Sequence, residues 1–127
     1  MSGIIGRLHS RGDRIDRRTL QSMLDTVALR GPDRQHLWTG GRIGLGQVLL
    51  ATTPEASAEV QPRQSRDGRF VLVADARIDN RGDLLRALAL RSRFSAIPDC
   101  DLILAGYQRW GEAVVDRLVG DFAFAIW

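Results

Sequence analysis

The residues whose types and spacing could do chemistry begin at the start of the chain. Met1-Ser2-Gly3-Ile4-Ile5-Gly6 sets a small hydroxyl residue directly after the first methionine and ahead of a β-branched run. Once Met1 is removed, Ser2 carries a free amine and a hydroxyl on one residue, and the amine can act as general base for its own side chain. A small residue is equally at home at an ordinary processed terminus, so both readings stand at this point. Elsewhere the reactive types are sparse. All 18 basic residues are arginine, which excludes a phosphate-loop lysine, a lysine general base and a Schiff-base lysine. The single Cys100 has no neighbouring base in sequence and reads as a small core residue. His9 and His36 lack metal-ligand spacing, so no metal site is expected.

Composition narrows the classes further. With 127 residues, 44% of them hydrophobic, the chain suits one domain with a real core. The formal net charge is +3, and the arginines alternate with acids, as in Arg11-Gly12-Asp13-Arg14-Ile15-Asp16-Arg17-Arg18. Mixing of that kind describes a solvated surface and gives no nucleic-acid footprint. No apolar run reaches spanning length and no signal peptide opens the chain, so the expected location is the cytoplasm, with no membrane partner. One cysteine agrees with a reducing compartment.

The elements that must position these residues follow from periodicity. Ser2 to Leu8 reads as a strand. Leu20, Met23, Leu24 and Val27 recur on one helical face, predicting a helix from about Arg17 to Leu29 capped by Asp16 and stopped by Arg30-Gly31-Pro32-Asp33. His36 to Thr39 and Arg42 to Ala51 are extended segments joined at Gly40-Gly41. Thr52 to Ser65 reads as a loop, and Phe70 to Asp75 as a buried strand running on to Asn80. Asn80 is expected to cap a helix whose Leu84, Leu85, Leu88 and Leu90 supply an apolar face, ending near Arg91. Pro98-Asp99 opens another helix through Leu102, Ile103, Tyr107 and Trp110, interrupted at Gly111 and resumed from Glu112 to Val119. Phe122 to Trp127 is an apolar strand, and a chain finishing on such residues suggests the front piece of a longer protein, or a subunit that buries them in a partner. The tryptophans Trp38, Trp110 and Trp127 read as core or interface aromatics. Strands and helices in this order predict an α+β layered domain.

Several motifs in order carry a resemblance. The amino-terminal Met-Ser-Gly-Ile-Ile-Gly, Leu29-Arg30-Gly31-Pro32-Asp33, Gly44-Leu45-Gly46, Gln61-Pro62, Asp79-Asn80, Asp99-Cys100-Asp101 with Tyr107 and Trp110-Gly111-Glu112, and Gly120-Asp121-Phe122-Ala123-Phe124-Ala125-Ile126-Trp127 resemble the amino-terminal class II glutamine amidotransferase domain of asparagine synthetases. The resemblance spans residues 1–127 as a single domain. It implies an N-terminal-nucleophile fold, a four-layer αββα sandwich of antiparallel sheets, here incomplete at its carboxy-terminal end. It also implies that glutamine is hydrolysed and that its ammonia passes to a carboxy-terminal, ATP-dependent synthetase domain. The pyrophosphate loop of that second domain does not occur in these residues, so ATP and Mg are expected only there and no cofactor is expected in this chain.

The departures from the family are specific. Its nucleophilic cysteine is replaced by Ser2, a weaker nucleophile. The arginine that grips the glutamine carboxylate falls on Leu49, which cannot make a bidentate contact. The asparagine-glycine-glutamate of the oxyanion hole and substrate contact falls on Asp75-Ala76-Arg77, giving a carboxylate where negative charge develops and reversing the charge of the glutamate. Asp99 keeps the family's contact residue, and the sequence supports a helix cap there as well. Arg77, Asp79 and Asp75 are expected to form a local ion network. Three readings follow: a degenerate glutaminase-type domain of an amide ligase, similar to β-lactam synthetases and lasso-peptide cyclases; a weakly active glutamine amidotransferase using Ser2; and a non-enzymatic partner subunit. The partner in the first and third is a synthetase domain or separate ligase subunit, and an unpaired edge beside Trp127 invites homodimerisation.

Overall fold

A computed structural model describes residues 2–90 and 97–127. Two antiparallel three-stranded sheets lie face to face. The first holds β1 (Gly3–Leu8), β2 (Arg34–Gly40) and β3 (Ile43–Leu49) in the order β1-β3-β2; the second holds β4 (Arg63–Gln64), β5 (Val71–Ile78) and β6 (Gly120–Ile126) in the order β4-β5-β6. The alternation of β5 explains the stacking. Val71 and Val73 pack with Ile43 and Leu45 between the sheets, while Leu72, Ala74 and Ile78 turn to the opposite face. There they meet Leu84 of α3 (Arg81–Ala87), Cys100, Ile103 and Leu104 of α4 (Asp99–Trp110), and Val114 and Leu118 beyond it. On the outer face of the first sheet, α1 (Arg17–Thr26) buries Leu20 and Leu24, and Gly44 leaves room for Leu20 and Ile15 against β3. Helix, sheet, sheet, helix is the expected α+β layering.

Local chemistry sets the boundaries, sometimes away from the expected ones. Asp16 caps α1 as expected, its carboxylate accepting from the N–H groups of Arg18 and Thr19. The helix stops at Thr26, and a 3₁₀ turn at Ala28–Arg30 replaces its predicted last turn. The hairpin turns at Gly41 and Arg42; Gly40 is paired with Ile43 inside the ladder, and only Gly41 takes a positive φ, of 63°. The expected loop from Thr52 contains a short helix α2 (Pro54–Ser57) and β4.

Asn80 precedes α3 but does not cap it with its side chain. Its Nδ2 donates to Arg117 O (2.8 Å) and its Oδ1 accepts from Val119 N–H (3.0 Å), clamping the entry to β6. The α3 helix ends at Ala87, so Leu90 falls beyond it and is exposed rather than on its apolar face, and the Arg91 expected at its end lies outside the described residues. Gly111, at φ 61°, closes α4, and a 3₁₀ helix at Gly111–Arg117 takes the place of a resumed α-helix. Trp38 packs on the inter-sheet cluster and Trp110 on the helical one, with Arg117 over its ring at 4.7 Å. Arg42 lies 5.5 Å from the Trp127 ring centroid. No described helix is long and apolar enough to cross a membrane.

Candidate functional site

The residues singled out from sequence converge on one pocket. Ser2, Leu49, Asp75, Ala76, Arg77 and Asp99 all line a cavity of about 420 Å³ at one end of the facing sheets. Ser2 enters it at the head of β1, Leu49 at the end of β3, and residues 75–77 from β5 where the inward alternation reaches the sheet margin.

Ser2 is buried and bonded through each of its polar atoms. Its backbone N–H donates to Asp75 Oδ1 (3.0 Å), its carbonyl accepts from Arg30 Nε (3.1 Å), and its hydroxyl oxygen accepts from Leu50 N–H (3.2 Å). Arg30 reaches the terminus because Gly31 lies directly on β3, where the chain from Pro32 bridges to Leu49. Asp33 completes that seam, donating its N–H to Leu49 O (3.0 Å) and accepting from Ala51 N–H (2.8 Å).

Three of the charged lining residues, Arg77, Asp99 and Asp121, are held in ion pairs. Asp99 is the first residue of α4, yet its carboxylate does not cap the helix: it accepts from Ile78 N–H (3.1 Å) and pairs with Arg81, correcting the cap reading. Arg77 pairs with Asp79 and with Asp121, both at 3.1 Å. The expected network of Arg77, Asp79 and Asp75 is therefore only partly formed, because Asp75 points to the amino terminus and Asp121 of the adjacent strand takes its place.

One lining residue escaped the sequence reading. Glu59 is only 8% exposed. Its Oε1 accepts from Gln47 Nε2 (2.8 Å) and from Gln61 Nε2. Gln61 also docks on β5 as though it were a strand residue, accepting from Ala74 N–H (2.5 Å) and donating to Ala74 O (3.0 Å), and Gln47 donates to the same carbonyl (3.1 Å). The cluster thus stitches the first sheet, the loop and the second sheet together. Burial pushes the Glu59 carboxyl above its ordinary range, against the lowering effect of the two amide donors, with Asp101 and Asp75 adding to the rise. An acid in a polar loop carries no periodic signal; its only hint was its place two residues before Gln61-Pro62.

The core assignment of Cys100 holds. Cys100 is buried, and desolvation raises its thiol far above the ordinary range, so it offers no thiolate at neutral pH. Among the described residues no group of His, Cys, Asp and Glu could hold a metal ion.

Comparison with known proteins agrees with this geometry. A family described as the glutamine amidotransferase domain matches residues 1–127. The chain is 28% identical over 130 residues to glutamine-hydrolyzing asparagine synthetase 3 of Bacillus subtilis, covering 100% of this chain and 21% of that protein. It is 34% identical over 97 residues to a glutamine-hydrolyzing asparagine synthetase of Triphysaria versicolor (76% of this chain, 16% of that one). It is 29% identical over 110 residues to the amidase chry2 of Gibberella zeae (85% and 16%). The chain therefore spans only 16–21% of the length of these relatives. The two facing antiparallel sheets, Ser2 buried at their margin and the match over residues 1–127 lead to one assignment: the chain belongs to the glutamine amidotransferase domain family, in the form that begins asparagine synthetases.

Proposed function

We propose that this is an amidotransferase domain without glutamine hydrolysis, working as the amino-terminal part or partner of an asparagine-synthetase-like, ATP-dependent amide ligase. The observation that carries this reading is the bond from the Ser2 N–H to the Asp75 carboxylate. Once Met1 is removed, an α-ammonium at that place is held by a carboxylate 3.0 Å away and has no lone pair to take the hydroxyl proton. The same carboxylate lies where an oxyanion needs donors, and losing one such donor typically slows acyl transfer about a hundredfold to a thousandfold. Leu49 supplies no charge for a substrate carboxylate, Arg77 is engaged by Asp79 and Asp121, and Asp99 is engaged by Arg81.

A ligase that joins a carboxylate to an amine already in its substrate needs no ammonia, which fits this pocket. ATP and Mg then belong to the synthetase domain, and the greater length of the relatives supports a partner of that kind. Docking through the β6 edge is favoured by one observation: β6 pairs only with β5 among the described strands and leaves Phe122 and Trp127 partly exposed. The test is ammonia release from L-glutamine by the chain and by its Ser2→Cys variant, each against a heat-killed control. Neither is expected to exceed background; brisk release by Ser2→Cys refutes the claim that the pocket, and not the nucleophile alone, is disabled.

A further inference from the structure

Resting on the reading that this pocket does not take glutamine, we propose that it binds a small organic cation: an alkyl ammonium that carries no carboxylate. The charges around the cavity do not balance. Four carboxylates line it, those of Glu59, Asp75, Asp99 and Asp121. Arg81 answers Asp99 and Arg77 answers Asp121. Glu59 and Asp75 meet no basic side chain in any ion pair of the described residues; the α-ammonium of a processed Ser2 answers Asp75, so the carboxylate left over is that of Glu59.

Glu59 points to what is missing. It is more than nine-tenths buried, and only its Oε1 is used, by the two glutamine amides. Oε2 has no donor among the described residues, and no fully enclosed side-chain oxygen goes unpartnered, so Oε2 opens on the cavity that Glu59 lines. A half-satisfied carboxylate in a desolvated site is stabilised by a cation with N–H donors. Asp75, on the same wall, has its Oδ1 on the Ser2 N–H and its Oδ2 without a donor among the described residues.

The remaining lining sets the rest of the ligand. Leu49, Ala56, Ala76 and Phe122 offer apolar surface suited to a short alkyl chain. Leu49 gives no partner to a ligand carboxylate, and the Arg77 guanidinium is bridged between Asp79 and Asp121. An amino acid would therefore bring one welcome charge and one unwelcome one.

The probe is n-butylammonium chloride, titrated calorimetrically into the intact chain, with n-butanol and L-glutamine run beside it. Saturable binding of butylammonium is expected, with n-butanol and L-glutamine each weaker by at least about tenfold. Glu59→Gln keeps an acceptor for Gln47 and Gln61 and should weaken butylammonium binding by at least about tenfold. Absence of saturable butylammonium binding, or equal binding of n-butanol, overturns the proposal on the unaltered protein alone. Undiminished binding by folded Glu59→Gln overturns it too. If butylammonium fails while glutamine also goes unhydrolysed, this inference falls and the loss of glutaminase stands; ammonia release from glutamine strikes the prior reading instead.

Discussion

The seam beneath Ser2 makes Gly31→Ala a sharp test of how the terminus is held. Gly31 is extended at φ −147°, so its backbone is open to any residue, and only space forbids a side chain. A Cβ there would lie 2.5 Å from Val48 O and closer still to the Val48 carbonyl carbon and Leu49 nitrogen, where ordinary contact starts at 3.4 Å. Backbone cannot rotate away as a side chain can, so the loop must lift by about 1 Å. Three hydrogen bonds depend on its seat: Arg30 Nε to Ser2 O at 3.1 Å, Asp33 N–H to Leu49 O at 3.0 Å, and Ala51 N–H to Asp33 Oδ2 at 2.8 Å. At about 1 kcal/mol net for each, the expected loss is about 3 kcal/mol, or a fall in Tm of about 10 °C for a chain of this size. Gly6→Ala is the control, since on an exposed strand position its Cβ meets the flexible Leu45 Cδ2 at 3.3 Å and Gly44 O at an ordinary 3.9 Å, and it should be neutral or slightly stabilising. Urea and thermal unfolding of both variants decide the matter. A Gly31→Ala protein within about 1 kcal/mol of the parent would refute the steric argument.

Other perturbations read other parts of the frame. Native Glu59 holds its proton to higher pH than in the unfolded chain, so the fold binds more protons in that window and its stability falls as pH rises from about the ordinary carboxyl value through the raised one. Glu59→Gln should flatten that fall and raise neutral-pH stability in denaturant titrations at a series of pH values; an unchanged profile tells against the buried charge. Asn80→Ala should cost about 1–2 kcal/mol in urea unfolding, through loss of the clamp on Arg117 and Val119, and a change below about 0.3 kcal/mol would mean the clamp is idle. Cys100 should resist iodoacetamide at pH 8 in the native chain and react on unfolding, followed by mass spectrometry; rapid native labelling would contradict its burial.

What the sequence disclosed depended on the range of the interactions. The α1 stripe of Leu20 and Leu24, its Asp16 cap and the apolar β5 were legible because local periodicity and capping decide them. Asn80 and Asp99 misled for one reason: both types are good caps, and both found partners far along the chain, Asn80 at Arg117 and Val119, Asp99 at Ile78 and Arg81. No local pattern predicts which competing bond wins. The pocket lining was legible only through the resemblance, which aligned Ser2, Leu49, Asp75, Ala76, Arg77 and Asp99, residues from four separate segments, on one cavity. Glu59 lay outside that alignment of roles, and its burial is fixed by amides from β3 and from the loop.

The bonds that engage the polar groups of the pocket are also bonds that hold the fold. Ser2 ties the head of β1 to β5 through Asp75, to the end of β3 through Leu50 and to the Gly31 loop through Arg30. Arg81 and Asp99 join the starts of α3 and α4, and Arg77 with Asp121 spans β5 and β6. Asp75→Asn would restore a neutral amide beside Ser2, but it would leave Leu49 without charge and Arg77 bridged between Asp79 and Asp121. Residues that act as a unit in catalysis recover little when repaired singly. On the proposed reading, glutaminase chemistry in this domain is separated from its present state by several coupled changes, each of which must first release a structural contact.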